Sequence, residues 1–179
     1  MPELIEPIMA LADSYRSAMV DFAAEGRGAG DDDSALGRAL REYGPRWHAA
    51  AGMAQYLAAL RSEGDPSVDP PAGWVHSTAY WWVEDDTFLG SLRIRHTLTP
   101  GLLQTGGHIG YDIAPAHRLR GHGTAMLRAA LPRAAALGVN RALITCDTGN
   151  VGSRKIIEHS GGRFEDERAG KLRYWVPTG

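Results

Sequence analysis

Apolar residues recur along this chain in two rhythms. In the first third they fall every three or four positions. Leu11, Tyr15, Ala18, Met19 and Phe22 line one stripe of a helix predicted over Ala10–Ala24. Ser34 can cap a helix over Ala35–Tyr43, and a third helical stretch over Arg46–Leu60 follows Pro45, a favourable first-turn residue. Leu4-Ile5-Glu6 reads as a short strand, Gly26–Asp33 as a glycine and aspartate loop, and Ser62–Gly73, with Pro66, Pro70 and Pro71, as a linker. Beyond the linker the rhythm changes to alternation. Thr78–Val83 and Thr87–Leu98 are rich in aromatic and β-branched residues, and Glu84-Asp85-Asp86 joins them as an antiparallel hairpin. Strand His108–Ile113 follows, then a helix over Thr124–Leu137 that Gly138 closes and that Pro132 should kink. Strand Arg141–Cys146, helix Asn150–Ser160 and strands Arg163–Glu167 and Lys171–Val176 complete the pattern. The expectation is an α/β fold: one mixed, mostly antiparallel sheet of six to seven strands with helices on both faces. Residues 1–179 are read as a single domain, with a helical part at 1–73 and a core at 74–179.

Composition narrows the class. At 44% hydrophobic and 22% charged, the chain has the balance of a soluble globular protein. No apolar run is long enough for a membrane span and no signal-peptide pattern opens the sequence, so a cytoplasmic protein with no membrane partner is expected. Cys146 is the only cysteine, which excludes an internal disulfide and a cysteine-cluster metal site, and no metal is expected. A net charge of -2 gives no reason to expect a nucleic-acid partner.

The chemistry concentrates after the third core strand. Arg118-Leu119-Arg120-Gly121-His122-Gly123-Thr124 is a glycine turn between strand and helix. Such a junction aims free backbone N–H groups and the positive end of a helix dipole at one point, which suits phosphate. The glycines allow close approach, and the arginines add charge. A dinucleotide fingerprint would need Gly or Ala where Met126 stands, and no P-loop Gly-Lys-Ser/Thr run exists. What remains, Arg118-x-x-Gly121-x-Gly123, resembles the pyrophosphate loop of the GNAT N-acetyltransferase superfamily. The preceding Ile113-Ala114-Pro115 and the later Asn150-Val151-Gly152-Ser153, which opens a helix before Gly161-Gly162, match the same pattern. The resemblance covers roughly residues 77 to 176. The wider run Ile94-Arg95-His96-x-Leu98, with Gly106-Gly107-His108-Ile109-Gly110-Tyr111, also looks like a bacterial subgroup of predicted acetyltransferases.

The resemblance implies the GNAT fold, acetyl-CoA as cosubstrate and acetyl transfer to an amine. The amine must lose a proton before it can attack, because an alkylammonium near pKa 10 has no free lone pair. The thioester oxygen gathers negative charge and needs a hydrogen-bond donor. By resemblance, the backbone of Ile113 pairs with the pantetheine arm. The amides of the loop Arg118, Leu119, Arg120, Gly121, His122, Gly123 and Thr124 take the pyrophosphate, and Asn150 and Ser153 meet the arm or the sulfur. Many relatives carry a sulfur-protonating tyrosine where Ile157 stands here. Tyr111 is a substitute candidate, with core packing as its alternative role. His108 replaces a glutamate that activates the amine in some relatives, and a histidine near pKa 6.5 is a reasonable base. A purely structural histidine is the other reading, and Asp112 is the reserve base.

The acceptor is less legible. Asp31-Asp32-Asp33, Glu84-Asp85-Asp86 and Asp147 suggest an anionic rim that would attract a polycationic small-molecule amine, such as an aminoglycoside antibiotic or a polyamine. Trp47, Trp74, Trp81 and Trp82 are either an apolar acceptor wall or core. The leading function is acetylation of a primary amine on a small molecule, with aminoglycoside resistance as one form of it. The alternatives are a protein N-terminal or lysine acetyltransferase and a non-catalytic CoA-binding module. Monomer and homodimer are both left open.

Overall fold

The computed structural model describes all residues from Met1 to Gly179. A four-stranded antiparallel sheet runs in the order β1 (Glu3–Ile5), β2 (Ser77–Glu84), β3 (Thr87–Arg95), β4 (Ile109–Ile113). A second antiparallel sheet has the order β5 (Arg141–Asp147), β7 (Lys171–Pro177), β6 (Arg163–Arg168). Helices α1 (Ala12–Ala24), α2 (Ala35–Glu42) and α3 (Ala50–Gly64) lie between β1 and β2, and α4 (His122–Ala136) and α5 (Val151–His159) follow β4 and β5. No helix is long and apolar enough to cross a membrane.

The alternation seen in the sequence places a core on each face of the large sheet. Tyr80 and Trp82 of β2 pack with Met126, Leu127 and Ile157 of α4 and α5. Trp81 and Val83, one residue out of phase, pack with Tyr15, Phe22 and Tyr56 of α1 and α3. Trp81 is 1% exposed and stacks on Tyr15 with ring centroids 4.6 Å apart. Burying a side chain of this size contributes about 1.5–3 kcal/mol. Trp47 belongs to the same cluster, so three of the four tryptophans singled out above are core; only Trp74 is well exposed.

Several boundaries move. The second hairpin strand ends at Arg95 rather than Leu98, and a single π-helical turn, Leu102–Gly106, lies in a stretch the pattern left unassigned. Pro45 sits in a short 3₁₀ turn, Gly44–Arg46, and α3 starts only at Ala50. That turn presses on Gly52, where a Cβ would lie 2.1 Å from the Arg46 carbonyl oxygen. Helix α4 begins at His122, two residues early, with Gly121 in the left-handed region at φ 83°. Pro132 lies inside α4 without ending it.

The two sheets meet at one point. His108 N–H donates to Leu143 O at 2.7 Å, and Leu143 N–H donates to the His108 Nδ1 at 2.9 Å. Gly107, at φ 64°, lets the chains come this close, since a Cβ there would sit 2.5 Å from Leu143 O. Past this joint β4 and β5 belong to separate sheets, and no ladder links them. His108 thus lends its ring to the backbone network. With Nδ1 accepting, the neutral ring carries its proton on Nε2. Burial first, and then the neighbouring Arg95, lower its pKa. A depressed histidine pKa favours the fold above the unfolded value near 6.5, and that contribution disappears as pH falls through the folded value. His108→Ala is therefore expected to cost about 1–3 kcal/mol, the penalty of leaving the Leu143 amide unpaired. His108→Asn, whose carbonyl can accept the same bond, should recover much of it. Urea unfolding measured from pH 8 to pH 5 should show stability falling on acidification in the wild type, and falling less in His108→Asn.

Candidate active site

Past the joint, β4 has one edge without a partner strand. Ala114 N–H donates to Leu89 O at 2.9 Å and Arg95 N–H to His108 O at 2.7 Å. With the pairs Ser91–Asp112 and Arg93–Gly110 between them, these fix which β4 residues bond to β3. In an antiparallel ladder the alternate residues point their N–H and C=O groups the other way. Those residues are Ile109, Tyr111 and Ile113, whose polar groups face the gap between the sheets. The gap leads on to the loop before α4. Every backbone N–H from Leu119 to Thr124 lacks a protein acceptor; the first helical bond is Ala125 N–H to Gly121 O at 3.1 Å, and no side chain caps the helix.

Two residues keep this loop in shape. Arg118 Nε donates to Ile113 O at 3.1 Å, and its two terminal nitrogens reach the Glu25 carboxylate at 2.9 and 2.8 Å. Arg118 is thereby committed to bracing the loop against α1. Leu119 takes a left-handed φ of 61° with its side chain fully in solvent. The glycines differ in what they permit. A Cβ at Gly121 would meet nothing within 4 Å, whereas one at Gly123 would lie 2.4 Å from Ile156 Cδ1 of α5. Gly123 thus lets α5 pack against the first turn of α4. His122 Nδ1 accepts from Trp82 Nε1 at 3.3 Å, while Arg120 is exposed.

A cavity of about 780 Å³ opens between the α1–α2 loop, the face of β3 and β4, and the start of α5. Asp112, Tyr111, Asn150 and Ser153 line it; His108 does not. Gly110 adds no bulk, as a Cβ there would meet open space. Tyr111 Oη lies 2.8 Å from Ser153 Oγ, and burial raises the tyrosine pKa well above its ordinary value. The Asn150 side chain accepts from Ser153 N–H at 3.0 Å, which sets the first turn of α5. Ile157, at the position of the tyrosine of relatives, is fully buried in the core and lies away from the cavity. Tyr174 Oη donates to Glu158. Cys146 lines the cavity, but burial raises its pKa, so its sulfur is a thiol at neutral pH.

Arg27, Arg93 and Arg95 bring positive charge into the cavity beside Asp31–Asp33 and Asp112. Arg27 donates to Asp112 Oδ1 at 2.6 Å, to Asp32 Oδ2 at 2.9 Å and to Ser34 Oγ at 2.8 Å. Burial would raise the Asp32 pKa, yet hydrogen bonds from Ser34, Gly28 N–H and Arg27 outweigh it and hold the carboxyl well below its ordinary value. Arg93 pairs with Glu63, and Arg95 reaches only the Gly106 and Gly107 carbonyls. Arg93 and Arg95 alternate with buried Leu92 and Ile94 on one strand. The acidic segments divide. Asp31–Asp33 line the cavity, as does Asp147, which is paired with Lys171 at 2.5 Å, whereas Glu84 ends β2 and Asp85 and Asp86 form the turn to β3 outside it.

The family model for the acetyltransferase (GNAT) domain matches residues 32–163. The chain belongs to the GNAT acetyltransferase family and is an acetyl-CoA-dependent N-acetyltransferase. Solved structures share the fold. RimJ of Mycobacterium smegmatis, in complex with CoA disulfide, is 20% identical with a TM-score of 0.67, over 98% of this chain and 81% of that one. The microcin C7 self-immunity acetyltransferase MccE, with acetyl-CoA and AMP, is 11% identical with a TM-score of 0.66, over 98% and 92%. RimL, a ribosomal L7/L12 α-N-protein acetyltransferase with coenzyme A, is 13% identical with a TM-score of 0.64, over 98% and 93%. No curated protein matches the sequence. The mixed α/β fold with antiparallel strands and flanking helices is therefore that of the family.

The two loop glycines should respond differently to substitution. Gly121→Ala puts a Cβ in the left-handed region and is expected to cost about 1–2 kcal/mol, with no clash to relieve. Gly123→Ala leaves φ unchanged, so its cost depends on how far Ile156 can move, and trimming Ile156 to Val should relieve it but leave Gly121→Ala untouched. Chemical unfolding of the four variants checks this.

Proposed function

We propose that this GNAT enzyme acetylates a primary amine on a small molecule, with the N-terminal segment 1–73 shaping the acceptor side of the cleft. The observation that carries this reading is the continuity of an unpaired β4 edge with the row of free amides from Leu119 to Thr124. Together they fit an extended arm ending in a diphosphate, which is the form of acetyl-CoA. The amides and the positive end of α4 would hold the diphosphate, and Ile113 and Tyr111 backbone groups would pair with the arm. When bound, acetyl-CoA supplies an activated thioester. The chain's own task is to place the amine, accept its proton and offer donors to oxygen and sulfur.

Asp112 is the carboxylate best placed for the amine. It lies on the cavity face of β4, beside the space left open by Gly110. Arg27 occupies Oδ1, which leaves Oδ2 to receive an ammonium and take its proton, directly or through water. His108, with its Nδ1 already bonded to Leu143, serves in this reading as a positioning residue for β4. Ser153 and Tyr111, hydrogen-bonded to each other, are the hydroxyl donors nearest the start of α5 and would meet the departing sulfur. The Asp31–Asp33 segment favours a cationic acceptor, an aminoglycoside or polyamine among them. Likeness of fold to RimJ and RimL supports a second reading, in which the acceptor is a protein N-terminus.

Release of coenzyme A thiol, followed with aminoglycosides, polyamines, amino acids and short peptides, distinguishes the two. Turnover is expected with small amines, and turnover confined to peptides would favour the second reading. Asp112→Asn is expected to lower kcat/KM for the best acceptor by about 10²-fold while acetyl-CoA binding is retained. Full activity in Asp112→Asn would remove it from proton transfer.

A further inference from the structure

The cavity has a second end that the acetyl-transfer reading does not use. Beyond Gly110 the same face of β3 carries Arg93 and Arg95, and a side pocket of about 270 Å³ continues past them to Arg38 of α2 and Trp74. Three guanidinium groups therefore line one small space. Arg93 has a carboxylate partner, and Arg38 and Arg95 have none. Arg93 pairs with Glu63 of α3 and also reaches Ser77 Oγ at 3.4 Å. Arg38 donates to the Asp33 backbone carbonyl at 2.7 Å and lies over the Trp74 ring at 4.5 Å. Arg95 donates to the carbonyls of Gly106 and Gly107 at 3.3 and 3.1 Å and has no carboxylate partner. Asp33 is the one acidic residue lining the side pocket. Burial, then Arg93 and Arg38, push the Arg95 guanidinium down to about 10, so these cations feel each other.

A partly buried guanidinium without a counter-charge is costly, and an anionic ligand offsets that cost with paired N–H donors. We propose, resting on the acetyl-transfer reading above, that the acceptor is an amine that also carries a carboxylate or phosphate, docked on Arg95, Arg93 and Arg38 while its amine faces Asp112.

The strand register sets the reach such an acceptor needs. Ser91 pairs with Asp112 and Arg93 with Gly110, and Arg95 bonds to His108, so all three β3 residues share the cleft face with Asp112. One pleat repeat is about 7 Å, which places Arg93 one repeat and Arg95 two repeats along the strand from Asp112. An α-amino acid, with its two charges on adjacent carbons, is too short to span this. Several bonds must separate amine and anion. The charges of the cleft also explain why a polycation fits only part of it: Asp31, Asp32 and Asp112 lie together with Arg27, while Arg38, Arg93 and Arg95 share the side pocket with Asp33 as its one acidic lining residue.

The test has two arms. In the first, thiol release is measured with ω-aminocarboxylates and aminoalkyl phosphates of increasing length, each beside the neutral amino alcohol of equal length. The longer anionic members are expected to exceed their neutral partners by about tenfold or more in kcat/KM, as about 1.4 kcal/mol of charge-assisted bonding would give. Arg95→Gln and Arg38→Gln should each raise KM for the anionic members and narrow the gap. Equal rates for anionic and neutral acceptors, or a gap that both variants leave intact, overturn the proposal. The second arm does not need turnover. Glutarate and inorganic phosphate are titrated calorimetrically into protein saturated with coenzyme A, which keeps the loop before α4 filled. Binding that weakens in Arg38→Gln, a variant on the helix surface that should not disturb β3, supports the anion site even if no amine is acetylated. Absence of binding, or binding indifferent to both variants, sinks it whatever the first arm shows. If both anions bind at the arginines and no amine releases thiol, the acetyl-transfer reading fails and the anion site stands.

Discussion

Two hydrogen bonds between His108 and Leu143 decide where this sheet stays closed and where it opens. One is an ordinary backbone bond; the other uses the His108 ring as an acceptor for a backbone amide. Gly107, free of a Cβ, allows the chains to touch there. Past that point β4 pairs only with β3 and β5 only with β7, and no ladder joins the two. The unpaired edge of β4 follows from this. A backbone edge left without a strand partner needs water or a ligand to satisfy it, and here it runs straight into a helix N-terminus whose amides are also free. The family's cosubstrate, a thioester on a long arm ending in a diphosphate, has a shape that fits such a junction.

The two cores hold this arrangement from either side. Tyr80, Trp82 and Ile109 fix the sheet to α4 and α5, while Trp81 and Phe88 fix it to α1 and α3. The first core sets the loop before α4 against the end of β4. The second carries the α1–α2 loop over the cavity, so that Arg27 can bond Asp112 from 85 positions away in sequence. This single ion pair ties the α1–α2 loop to β4 across the cavity. It also fixes which Asp112 oxygen is occupied, since Arg27 donates to Oδ1.

Most of the elements were legible from the chain. Alternation in β2 and β3, the helical stripe of α1 and the Ser34 cap have local causes, and local causes leave local signatures. The glycine turn before α4 is legible for the same reason, since its left-handed backbone needs glycine at Gly121. The π-turn at Leu102–Gly106 was not, because no propensity marks it. Nor was the late start of α3, which depends on the contact between Gly52 and Arg46. Among the functional candidates, Asp112 was the reserve base and Ser153 came from motif position, and both line the cavity. Arg27, Arg38 and Arg95 were not, because arginines on a strand or helix look alike in sequence whether they face solvent or a cleft.

By itself the sequence determined the family, the order of helices and strands, and the loop with free amides, since each rests on residues close together in the chain. The tertiary structure alone decided which histidine nitrogen is occupied, which acidic residues reach the cavity, and that three arginines from α2 and β3 share one pocket. Those outcomes depend on groups far apart in sequence meeting across a partly dehydrated space. There the strength of a charge is set by its neighbours and its access to water, and neither is written in local pattern.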